Sequence, residues 1–134
     1  MILVDTSVWI EYFRATGSAA AREVRRLLSD EPDQVVTCEP VAMEILAGAS
    51  NDDTYRKLER LVNGLPSLTV ETATDFRSAA DIYRAARRTG QTIRSINDCL
   101  IAVVALRHHA QVAHRDADFD VIAGITGLMT TSLR

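Results

Sequence analysis

The chain has 134 residues, 47% of them hydrophobic and 25% charged, a composition that excludes disordered and fibrous proteins and a length that fits one domain spanning residues 1–134. No apolar run reaches the roughly 18 residues of a membrane-crossing helix, and "MILVDTSVWI" lacks the basic stretch of a signal peptide, so a cytoplasmic protein with no membrane partner is expected. The formal charge of −3 argues against a broad basic face; yet Lys57 is the single lysine, leaving 14 arginines among the 15 basic residues, the side chain suited to two-pronged phosphate contact.

"MILV" reads as a buried strand, stopped by Asp5-Thr6-Ser7, which can cap a helix in which Trp9, Ile10 and Phe13 recur at near-helical spacing. "SAAAREVRRLLSD" is an amphipathic helix with Ala21, Val24, Leu27 and Leu28 on one face. "DQVVTC" predicts a second strand. Glu39-Pro40 then starts a helix that runs through "VAMEILAG" to Gly48, with Ala42, Met43, Ile45 and Leu46 expected inside. "DDTYRKLERLVNGL" is a further helix, and "PSLTVE" a third strand. Thr74 or Asp75 can cap the helix "DFRSAADIYRAARRTG", whose stripe is Phe76, Ala79, Ala80 and Tyr83. "SINDCLIAVVAL" looks like a buried helix headed by a capping box of Ser95 and Asp98. "AQVAH" is a fourth strand and "GLMTT" a fifth.

Short apolar strands alternating with helices imply an α/β domain with a parallel sheet covered on both faces. In such sheets the reactive residues lie beyond the carboxyl ends of the strands. Asp5 follows the first strand, and Asp116, Asp118 and Asp120 follow the fourth. The helix headed by Asp98 leads into that fourth strand, so its start points to the same edge. Glu44 is the lone acid in an otherwise apolar helical turn. Each has a plainer reading as a cap, a turn residue or a solvated side chain. Four segments aiming acids at one edge point instead to a compensating cation, because clustered carboxylates raise one another's pKa. A set without His or Cys favours Mg²⁺ or Mn²⁺ and phosphoryl chemistry. Cys38 and Cys99 show no metal-site spacing and read as buried thiols. His108 and His109 end a helix, where they suit its dipole, and nothing in the sequence places them or His114 near the acids.

"MILVDTSVWIEYF", "EPVAMEILAG", "SINDCLIAVVAL" and "AHRDADFDVIAG" resemble, in order and over nearly the whole chain, the four acidic motifs of the PIN-domain nucleases. The length and the "DTSVW" opening are similar to the VapC toxins of type II toxin-antitoxin systems. The resemblance implies a PIN-like three-layer α/β/α domain with a mainly parallel sheet of four or five strands. It implies that Asp5, Glu44, Asp98 and Asp116 form the catalytic, metal-holding set with one or two Mg²⁺ or Mn²⁺ ions, with Asp118 a less secure ligand. Thr6, Ser7, Arg14, Arg94 and Arg115 are candidates for substrate contact. The implied activity is metal-dependent endoribonuclease cleavage to 5′-phosphate and 3′-hydroxyl ends, on tRNA first and ribosomal RNA next. Implied partners are a VapB-type antitoxin and a second copy in a homodimer.

Rival chemistries fit less well. An aspartyl phosphatase needs a second Asp where Ser7 stands, and a phospho-acceptor receiver needs a lysine near the sheet. The alternative from another class is a catalytically silent PIN-like module that binds RNA or protein, which has no need to gather acids.

Overall fold

The computed structural model describes residues 1–134 and is organised around one sheet. Strand β1 (Ile2–Val4) leads through helices α1 (Thr6–Phe13) and α2 (Ala19–Asp30) and a single 3₁₀ turn at Pro32–Gln34 into β2 (Val35–Cys38). Helices α3 (Glu39–Ala47) and α4 (Asp52–Asn63) precede β3 (Ser67–Leu68). Helices α5 (Asp75–Arg88) and α6 (Ile96–Arg107) carry the chain back to β4 (Gln111–His114), and α7 (Ala117–Ile125) leads to β5 (Thr130–Ser132). The strand order is β3-β2-β1-β4-β5, every pair parallel. The expected three-layer α/β/α architecture is therefore present with five strands.

Right-handed crossovers put α1–α4 on one face and α5–α7 on the other. Most helix contacts follow that division, with α1 meeting α2 and α3, α3 meeting α4, and α5 and α7 meeting each other and α6; α3 and α6 also touch, across the two layers. β1 is central and short, and its apolar Leu3 and Val4 are wholly buried between the two helical layers. α6 is buried on every side from Asp98 to Ala105, which explains why its sequence shows an unbroken apolar run rather than a stripe. No helix is long and apolar enough to cross a membrane.

Several local expectations are corrected. β3 is two residues long, not the full "PSLTVE". Met43 is 58% exposed and Phe76 55% exposed, and Ala80 also faces out; the inward face of α5 is Asp75, Ala79, Ile82, Tyr83 and Ala86. Thr74 makes no capping hydrogen bond. The Ser95–Asp98 capping box does not form, because Asp118, from beyond β4, takes the backbone N–H groups of Arg94 and Ser95 instead. The chain turns from α5 towards α6 at Gly90, whose φ of +78° lies in the left-handed region that glycine enters without strain.

Candidate active site

The parallel pairing of β1 with β4 matches Val4 to Ala113, so both chains leave the sheet side by side at its carboxyl edge. Asp5 is held there by its own backbone, which donates to the Ala113 carbonyl at 2.9 Å. The Asp5 side chain caps α1: Oδ2 accepts from the backbone N–H and the hydroxyl of Ser7, at 3.0 and 2.6 Å. The same Ser7 oxygen accepts the backbone N–H of Arg115 at 3.0 Å, tying the ends of β1 and β4 together. Glu44, half-buried on α3, is fixed by the Thr6 hydroxyl, which donates to Oε1 at 3.0 Å.

Asp116 caps α7 through Oδ1, which accepts from the backbone N–H of Asp118 at 2.9 Å. Asp118 reaches back to the other crossover, Oδ1 accepting from Arg94 and Oδ2 from Ser95 at 3.0 and 2.9 Å. Asp98, in the first turn of α6, completes a trio: one carboxylate oxygen each from Asp98, Asp116 and Asp118 lie within 4.8 Å of one another. Asp118, the least secure ligand in the sequence, is thus inside the tightest cluster. Outside the trio, the charge of Asp5 acts on Asp98, and that of Glu44 acts in turn on Asp5.

The electrostatics follow from burial. Desolvation pushes the Asp98 carboxyl up to about 9, and Asp5, a hydrogen bond with Asp118, and the charges of Asp116 and Asp118 add to the rise. Burial also raises Asp5, against the Ser7 hydrogen bonds, with Glu44 reinforcing the rise. Asp5 Oδ1 and Asp98 Oδ2 are buried with no donor facing them. Buried carboxylate oxygens without donors, in an all-oxygen set, fit a hard divalent cation such as Mg²⁺ or Mn²⁺.

The arginines divide. Arg115 forms an ion pair with Glu11. Arg94 is exposed and its backbone is fixed by Asp118. Arg14 is exposed beside a groove of about 200 Å³ that also touches Thr6, Phe13 and Glu44. A larger cavity of about 470 Å³ lies at the opposite edge of the sheet, against Met1, Gln34 and Gln111, away from the acids.

His114 is the residue that sequence reasoning separated from the acids and the structure brings to them. It ends β4, is wholly buried, and its Nδ1 accepts the backbone N–H of Asp116 at 3.2 Å. Burial lowers its pKa, which keeps the ring neutral and Nδ1 free to accept. The ring packs on Phe119 with centroids 5.2 Å apart, and Nε2 lies 3.6 Å from Asp120. The signal available in sequence was its position, the last residue of a strand two before an acid. Cys38 and Cys99 are free and buried, with thiols pushed up to about 12 and about 11 by desolvation.

The chain is similar along its whole length to Ribonuclease VapC11 of Mycobacterium tuberculosis, at 69% identity with 100% of each chain covered. Among solved structures, VapBC2 of Rickettsia felis bound to a promoter DNA fragment matches all of both chains with a TM-score of 0.76 at 15% identity. VapBC-5 of Mycobacterium tuberculosis, a member of the VapBC family of toxin-antitoxin systems, matches 97% of this chain and 96% of that one with a TM-score of 0.64 at 23% identity. A family profile described as PIN domain matches residues 2–125. With four acidic segments folded to one sheet edge and a full-length relative among the VapC ribonucleases, the chain belongs to the PIN-domain family, in its VapC branch.

Proposed function

We propose that the protein is a metal-dependent endoribonuclease, the toxin of a type II toxin-antitoxin pair, acting as one domain over residues 1–134. The observation that carries this reading is the trio of Asp98, Asp116 and Asp118 within 4.8 Å, with Asp5 acting on Asp98 and Glu44 on Asp5. The VapC ribonuclease relative supports RNA as the substrate class. Asp5, Glu44, Asp98 and Asp116 are the proposed catalytic set, and Asp118 joins Asp98 and Asp116 as a ligand while anchoring the segment before α6.

A divalent cation held by these oxygens, Mg²⁺ or Mn²⁺ as one or two ions, supplies Lewis-acid polarisation of the phosphodiester and makes water nucleophilic at neutral pH. Ser7 holds Asp5 through Oδ2 and leaves Oδ1 without a protein partner. Thr6 holds Glu44 through Oε1. His114 holds the Asp116 backbone in place. Arg94 and Arg14 flank the acids and are the substrate-contact candidates that remain free. Hydrolysis by water leaves a 5′-phosphate and a 3′-hydroxyl, with tRNA the first substrate to test and ribosomal RNA the next. A VapB-type antitoxin, in line with the VapBC structures that share the fold, completes the proposal, together with a homodimer suggested by the family resemblance alone.

The test is cleavage of total tRNA and ribosomal RNA by the protein and its Asp98→Asn variant, each with Mg²⁺, Mn²⁺ or chelator, with the new 5′ ends mapped and their phosphorylation scored. Metal-dependent cuts lost in a folded variant support the reading. RNA binding without cleavage under every condition overturns it in favour of a silent binding module.

A further inference from the structure

The basic residues fall into three groups, of which the smallest, Arg14, Arg22, Arg25 and Arg60, is exposed, without an acid partner and scattered over the end of α1, α2 and α4. Arg26, Arg56, Lys57, Arg107, Arg115 and Arg134 are each paired with an acid. On α5 and the loop after it, Arg77, Arg84, Arg87, Arg88 and Arg94 are all exposed, and none pairs with an acid. Arg84, Arg87 and Arg88 alone line a shallow concavity of about 320 Å³. Arg87 is braced over the Tyr83 ring, its guanidinium carbon 5.9 Å from the centroid.

Helix stability does not account for this grouping. Cations in the last turn suit the helix dipole, which explains Arg87 and Arg88. Arg84 lies a turn earlier, however, and like charges three and four residues apart repel by roughly 0.2–0.5 kcal/mol per pair. The placement is more informative. Asp75 at the start of α5 bonds Arg107 at the end of α6, so the two helices run antiparallel and the last turn of α5 lies at the Asp98 end of α6. The segment between them is tied to the acid cluster itself, since Asp118 accepts the N–H groups of Arg94 and Ser95. An unneutralised positive surface therefore leads up to the carboxylates in a chain whose formal charge is −3.

We infer that Arg84, Arg87 and Arg88, continued by Arg94, form the surface that grips the phosphate backbone of the RNA and lays it across the acid cluster, an assignment that rests on the RNA-cleaving reading above. Contacts of this kind set position and affinity without reading sequence, and they make binding steeply salt-dependent. Arg77, a turn or more further from the cluster, extends the same face.

The experiment measures binding of a fluorescein-labelled oligouridylate and of a labelled RNA stem-loop in chelator, across a salt series. It compares the parent, the triple variant Arg84→Gln/Arg87→Gln/Arg88→Gln, the matching triple Lys variant, and a control with Arg25→Gln and Arg60→Gln on α2 and α4. The expected result for the Gln triple is weaker binding with a log–log salt slope shallower by roughly 2 for the single strand, close to 0.7 per contact removed. The Lys triple keeps the slope, the control matches the parent, and in cleavage the Gln triple raises KM while kcat at saturating RNA stays near the parent value. Unchanged affinity and slope in a folded Gln triple overturn the inference, as does an equal loss in the control. Because binding is read in chelator, this arm decides the arginine surface whatever the cleavage assay shows, and metal-dependent cleavage lost in Asp98→Asn stands or falls independently of it.

Discussion

Asp98 brings a carboxylate with a donor-less oxygen into the start of a buried helix, and its titration has a readable sign. Its carboxyl rises from 3.8 in the unfolded chain to about 9 in the fold, so the stability it contributes is full below pH 3.8 and is lost progressively up to about 9. In chelator, melting temperature is expected to fall as pH is raised across that window, and Asp98→Asn, which has no charge to bury, is expected to flatten the decline. A variant that melts with the same pH profile as the parent would count against the buried charge as its cause. Ser7→Ala removes the hydroxyl that orients Asp5 and accepts from Arg115. The expected loss is about tenfold in cleavage rate, equivalent to about 1.4 kcal/mol, with metal still bound. Steady-state kinetics and a metal titration on the same sample check it. The acids were legible in sequence because each interrupts an apolar run or ends a strand. Asp118's tie to Arg94 and Ser95 was not, because the partners lie 24 and 23 residues apart and local spacing carries no trace of such a contact. Arg115 read as a free cation for a similar reason: Glu11, its partner, comes from the first helix.

The α5–α6 pair is latched by Asp75 and Arg107. Asp75 is almost wholly buried; its Oδ2 accepts from Arg107 at 2.9 Å and from the backbone of Glu71 at 2.7 Å, and Arg107 also donates to the Thr69 carbonyl. Burial opposes ionisation of Asp75, yet Arg107 and the Glu71 N–H hold its carboxyl below the ordinary range. Its stabilisation is therefore present above the unfolded value of 3.8 and lost as pH falls through the lowered one. Asp75→Ala leaves Arg107 unpaired and is expected to cost about 3 kcal/mol in urea unfolding, towards the lower end for a broken buried pair because Arg107 is partly wetted. Elements with strong periodicity, such as α2 and α4, were legible nearly to their ends. α7 was not: "ADFDVIAGI" opens with two acids in a composition typical of turns, and it forms a helix because Asp116 caps it and Phe119 and Ile122 enter the core. β3 is short because its pairing starts at Thr37 and β2 ends one residue later, at Cys38, leaving only Ser67 and Leu68 with partners.

At the scale of the molecule, the sheet edge concentrates negative charge, while five of the nine arginines without an acid partner lie on and after α5. Millimolar Mg²⁺ or Mn²⁺ is expected to raise the melting temperature, by about 2.7 kcal/mol of stability at a hundredfold excess over Kd. A melting curve unmoved by either ion would remove the metal site from the proposal. Both thiols are buried and raised far above neutral pH, so a thiol reagent is expected to label neither cysteine until the protein unfolds. Labelling under native conditions would show that the core opens.

The strand order adds a consequence for assembly. β1 occupies the middle of the sheet, and one of its neighbours, β4, begins only at Gln111. Asp5 and Glu44 precede β3 in the chain whereas Asp98, Asp116 and Asp118 follow α5, so the acids come together only once β4 has paired with β1. A fragment that stops before β4 therefore lacks both a central strand of the sheet and two of the three carboxylates of the trio.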